Sequence, residues 1–134
     1  MKSNIKSIKG AYKYVGADFS QRPTFEHLSK KDRKYALAAY DFPVVIKALN
    51  KEGNGGKDWV PNWNNQDEIK YSVWVGVAAN EKKPSGFGFS CTYSHYVHSY
   101  SGTGVGSRLC LISAERVAYL LKQFKRLAIQ YYLG

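Results

Sequence analysis

Apolar positions recur at helical spacing in three stretches of the chain. In "NIKSIKGAYKYVG", Ile5, Ile8, Ala11, Tyr12 and Val15 alternate with lysines, and Gly16 offers a stop, so a short amphipathic helix is predicted. "ADFSQRPTFEHL" reads as a connector broken at Pro23. At Ser29, "SKKD" places an N-cap serine three residues before an acid, a near capping box. A helix is predicted from Lys30 to about Asn50, with Tyr35, Ala38, Ala39, Phe42, Val45, Ile46 and Leu49 on one stripe. Leu37, Tyr40 and Val44 lie on its far side, which suggests cover on two faces, and Pro43 should kink or split it. Ser113 caps a last helix of about 18 residues whose inner stripe is Val117, Leu120, Leu121, Phe124, Leu127, Ala128 and Tyr131.

Between the helices the period changes from 3.6 to 2. In "IKYSVWVGV" Ile69, Tyr71, Val73, Val75 and Val77 share one face, against Lys70, Ser72, Trp74 and Gly76. "GFGFSCTY" alternates Phe87, Phe89, Cys91 and Tyr93 with Gly, Ser and Thr. "VGSRLCLI" places Val105, Leu109 and Leu111 together with Ser107. Alternation of this kind predicts strands with one buried face. "NEKKPSG" supplies a hairpin turn between the first two. The whole, residues 1–134, is expected to be a single α+β domain. In it, two N-terminal helices and one long C-terminal helix pack on a three-stranded antiparallel meander.

Composition narrows the class. A chain of 134 residues with 44% hydrophobic and 22% charged residues can bury a core. No apolar run approaches the roughly 20 residues of a membrane span, and "MKSNIKSIKG" lacks a secretory core, so no membrane partner is expected. Two cysteines, Cys91 and Cys110, argue for a reducing cytoplasm. The net charge of +10 is uneven: residues 1–34 carry +6, residues 113–134 carry +3, and the middle is nearly neutral. Basic segments at both ends could form a field for a polyanion, or merely keep the protein soluble.

The chemistry-bearing residues cluster in "GFGFSCTYSHYVHSYSGTGVGSRLC", residues 86–110. "SGTGVGSR" lacks the strand-before, helix-after context of a phosphate loop, and "GNGGK" lacks the Walker spacing. Cys91, His95 and His98, with Cys110 across the strands, number enough for zinc, but alternation separates them. It sends Cys91 to the core face and Cys110 to the opposite one. A buried Cys91 makes a poor nucleophile, and Asp58, Asp67 and Glu68 sit in a polar loop without paired geometry. Neither a metal, a cofactor nor an enzymatic activity is expected.

The aromatics and cations make a different set. If the odd sheet face is buried, the even face presents Lys70, Trp74, Ser90, Thr92 and Arg108, a platform on which bases can stack. Trp59 and Trp63 in one loop, and Tyr96 and Tyr100 in another, could extend it, or fold back as a second small core. Candidate nucleic-acid contacts are therefore Trp59, Trp63, Lys70, Trp74, Tyr93, Tyr96, Arg108, Lys122 and Arg126.

The pattern "WVPNWNNQDEIKYSVWVGV", "GFGFSCTY" and "VGSRLCLIS" with "KQF" resembles small proteins of phages and prophages of gut Bacteroidota, over roughly residues 58–132. Those proteins carry a longer aromatic or acidic loop where this chain has "SHYVHSYSGTG". The resemblance carries no activity and no site residues. It implies a setting: the cytoplasm of a bacterial host, or incorporation in a virion. Small basic proteins of that setting bind nucleic acid, build virions or block host defence. The expectation is a non-enzymatic protein that binds single-stranded DNA or RNA through its basic terminal helices and aromatic residues. The alternative is a virion, assembly or host-takeover protein whose aromatic loops meet a phage or host protein, with an oligomer left open.

Overall fold

The computed structural model describes residues 1–65, 67–76, 88–94 and 106–134, the strands at 74–76 and 88–94 by their backbone alone. Its elements in order are α1 (Ile8–Tyr14), a 3-10 turn (Phe19–Gln21), α2 (Lys30–Gly53), β1 (Lys70–Gly76) and β2 (Gly88–Ser94). A second 3-10 turn (Ser107–Leu109), α3 (Ala114–Gln123) and α4 (Lys125–Leu133) complete it.

Three of the helices, α1, α2 and α3, start where a serine oxygen satisfies one of the first N–H groups. Ser7 accepts from the N–H of Gly10, Ser29 from Asp32 and Ser113 from Arg116. α1 ends at Gly16, whose φ of +78° suits a residue without Cβ. α2 is the hub: Ala38, Phe42, Val45, Ile46, Ala48 and Leu49 are buried along it, and it packs on α1, α3 and α4. The core closes over this stripe with Ile5, Ala11, Val73, Leu111, Val117, Leu120, Phe124 and Ala128.

Two expectations are corrected. First, the α+β domain on a three-stranded meander does not form. The described chain is mostly helical, and its sheet is a two-stranded antiparallel ribbon in which Tyr71 faces Tyr93 and Trp74 faces Ser90. The third segment contributes a single bridge, Leu111 to Tyr71, with N–H to carbonyl distances of 2.7 and 3.2 Å. The reason is local. Residues 107–109 coil into the 3-10 turn, Ser113 begins α3, and the buried Asn50 side chain takes the outward backbone groups between them. Its amide donates to the Cys110 carbonyl at 2.8 Å and accepts from the Ile112 N–H at 2.9 Å, standing in for a strand partner. Second, the long C-terminal helix is interrupted at Phe124 (φ −117°, ψ 33°). Hydrogen bonds from Phe124 N–H to Leu120 and from Ala128 N–H to the Phe124 carbonyl bracket a one-residue break. At Pro43, where a kink or a split was expected, α2 runs on as one helix.

Candidate nucleic-acid interface

The two basic ends of the chain meet. Residues before α1 run as a strap held by four donors and acceptors from α2 and α3. Ser3 Oγ donates to Glu52 Oε1 at 2.6 Å, and the Asn4 N–H donates to Glu52 Oε2 at 2.9 Å. The Tyr119 hydroxyl donates to the Ile5 carbonyl at 2.5 Å, and Gln123 Nε2 donates to the Lys6 carbonyl at 2.9 Å. Lys6 Nζ stands 5.8 Å from the Tyr119 ring centre, within cation–π reach. Exposed Lys6 is thereby set beside the end of α3, where Lys122, Lys125 and Arg126 are also exposed.

Glu52 is the anchor of this strap. Burial alone would raise its pKa, but the hydrogen bonds from Ser3, Arg116 and the Asn4 N–H, with the Arg116 charge, hold it below the usual carboxylate range. Arg116 Nη1 lies 2.6 Å from its carboxylate.

A second polar cluster pins the connector after α1. The Tyr12 hydroxyl donates to Asp41 at 2.6 Å, and Arg22 pairs with the other carboxylate oxygen while lying over the Phe19 ring. Burial, and then the bond to Asp41, pushes the Tyr12 hydroxyl well above its ordinary value, so it stays protonated. The open groove beside this connector is lined by Lys9, Lys13, Phe19 and Ser20.

The ion pairs Arg22–Asp41, Arg116–Glu52 and Lys70–Glu68 each remove one charge of either sign. The positive excess therefore lies outside these pairs. Arg33 is also spent internally, donating to the carbonyls of Phe25, Glu26 and Leu28, as is Lys51, which reaches the Tyr14 carbonyl.

Of the residues singled out from the sequence, Lys122, Arg126 and Arg108 are exposed, Arg108 in the 3-10 turn rather than on a strand. Lys70 is not on an open platform. It is 2% exposed, and its ammonium donates to the carbonyls of Asn62 at 2.7 Å and Asn65 at 2.8 Å, with Glu68 at 3.5 Å. Ser72 on the same strand face is buried too, so this end of the even face is covered. The cover is the 61–69 loop: Trp63 is half-buried 5.6 Å from Lys70 Nζ, and its ring N–H donates to Ser107 Oγ at 2.8 Å. Trp59 is half-buried in the same connection. The side chains of Trp74, Tyr93 and Cys91, and residues Tyr96, Tyr100, His95 and His98, lie outside the described residues. Cys110 is buried under Lys70, not on an outer face. Burial pushes its thiol up to about 11 despite the opposing pull of the Lys70 charge.

Among the described residues no three His, Cys, Asp or Glu side chains are placed to hold a metal ion, and no helix is long and apolar enough to cross a membrane. Comparison with protein-family models, curated proteins and solved structures returns no match.

Sequence reasoning missed Asn50, Asp41 and the strap contacts of Tyr119 and Gln123. Asp41 and Asn50 did carry a signal. Both sit at core register on α2, and a polar residue at a buried helical position must have a partner. The strap left no such trace, because its acceptors are backbone carbonyls.

Proposed function

We propose that this protein binds nucleic acid without catalysing a reaction, on a surface where its N-terminal strap meets the α3–α4 junction. The observation that carries the reading is the pair of hydrogen bonds from Tyr119 to Ile5 and from Gln123 to Lys6. They bring together two basic segments separated by more than a hundred residues. Lys6, Lys122 and Arg126 are exposed there and would neutralise phosphates, while Tyr119 and Gln123 hold the strap that carries Lys6. The resemblance to phage proteins supports a bacterial host's cytoplasm as the setting.

The test is a fluorescence-anisotropy titration of the full chain with labelled single-stranded and duplex oligonucleotides at low and moderate salt. The expected result is binding that weakens steeply as salt rises. Absent binding, or affinity indifferent to salt, overturns the proposal and directs the search to protein partners.

A further inference from the structure

An aromatic ladder climbs from the core to the surface where α2 and α4 pack. Phe42 is fully buried, and the Tyr131 ring stacks on it at 4.8 Å and 25°. Tyr35 stacks on Tyr131 at 6.5 Å and 23°. Tyr132 braces the lower rungs edge-on, 5.6 Å from Phe42 and 5.0 Å from Tyr131. The top rung, Tyr35, keeps 46% of its surface exposed, the most exposed aromatic residue among the described ones.

The chain around Tyr35 is basic. Lys31 lies one helical turn before it on the same face, Lys34 adjoins it, and both are exposed. The one acid within a turn, Asp32, accepts a hydrogen bond from the Ser29 hydroxyl at the helix cap. Arg33 points away, into the carbonyls of the 25–28 turn. An aromatic face backed by two further rings and flanked by ammonium groups fits one class of ligand: a base attached to a phosphate.

We infer that Tyr35 is a base-stacking contact for single-stranded nucleic acid, with Lys31 and Lys34 on the neighbouring phosphates. The inference rests on the nucleic-acid reading above and adds a second contact region and a preference for strands. Stacking needs a base whose face is open, which a single strand offers and a duplex withholds. Because Tyr131 already orders the ring, little side-chain freedom is lost on binding. Stacking on a phenol ring is tolerant of sequence, since every base has a π-face.

The experiment measures the affinity of the full chain, Tyr35→Ala and Tyr35→Phe for labelled oligothymidylate and for a duplex of equal length. Tyr35 is half exposed on a helix, and alanine is a better helix former than tyrosine, so the truncated variant folds. Tyr35→Ala is expected to weaken single-strand binding roughly tenfold while leaving duplex binding unchanged, and Tyr35→Phe to restore it. Unchanged single-strand affinity in Tyr35→Ala overturns the inference, and so does an equal loss for both ligands. If Lys122→Gln and Arg126→Gln weaken binding while Tyr35→Ala does not, the strap surface stands and the stacking contact falls. If the unaltered chain binds neither ligand, both fall together.

Discussion

Lys70 shows how a single residue can be spent on architecture instead of binding. Its stem leaves β1 and its ammonium ends among two carbonyls and a carboxylate of the 61–69 loop, much as a bound cation would. The same loop is closed by Glu68, which accepts from the Asn62 N–H at 2.7 Å. Replacing Lys70 by Met preserves volume but removes the donor to the carbonyls of Asn62 and Asn65 and the partner of Glu68. The expected loss is about 1.5–3 kcal/mol, the range for hydrogen bonds made by a charged group, read as a lower urea midpoint. An unchanged midpoint would mean that water reaches both carbonyls. From sequence alone Lys70 looked like a nucleic-acid contact on an open sheet face, since alternation put it opposite the apolar positions of β1. Alternation assigns a face but not what covers it, and here the loop carrying Trp63 folds over that face.

At the scale of elements, the helical stripes of α1 and α2 and the serine caps at Ser29 and Ser113 were legible because period and cap chemistry are local. The third strand was not. Residues 107–109 coil into a 3-10 turn and Ser113 caps α3, so among the described residues its alternating pattern gives one bridge and no ladder, and Asn50 takes the outward groups. The break at Phe124 was also hidden, because Leu120, Phe124, Leu127 and Ala128 keep an unbroken apolar stripe across it and all are buried. The N-terminal strap behaves as an element of its own, tied to α3 by Tyr119 and Gln123 and to α2 by the Glu52 carboxylate. Since the pKa of Glu52 is lowered on folding, its contribution is full above the usual glutamate value near 4.5 and is lost as pH falls through the folded value. Glu52→Gln is therefore expected to cost about 1.5–3 kcal/mol at neutral pH, the range for hydrogen bonds to charged groups. The gap between variant and parent should narrow in unfolding curves taken at successively lower pH below 4.5, as the parent carboxylate takes up its proton. A gap that persists in acid would assign the loss to geometry and not to charge.

For the whole molecule, the charge imbalance between ends and middle was legible in the sequence, and the meeting of those ends was not. That meeting sets Lys6 at the α3–α4 junction, where Lys122 and Arg126 are exposed. A generic basic surface would respond to the loss of any lysines. A localised one responds only to its own. The decisive measurement is the slope of log affinity against log salt for single-stranded oligonucleotide, compared across three proteins. These are the parent chain, Lys6→Gln/Lys122→Gln/Arg126→Gln, and the control Lys47→Gln/Lys57→Gln, whose lysines are exposed elsewhere. The slope is expected to shallow by about one for each phosphate that the triple variant leaves without its cation, and to stay unchanged in the control. Slopes that fall in both variants in proportion to the charge removed would contradict a dedicated interface.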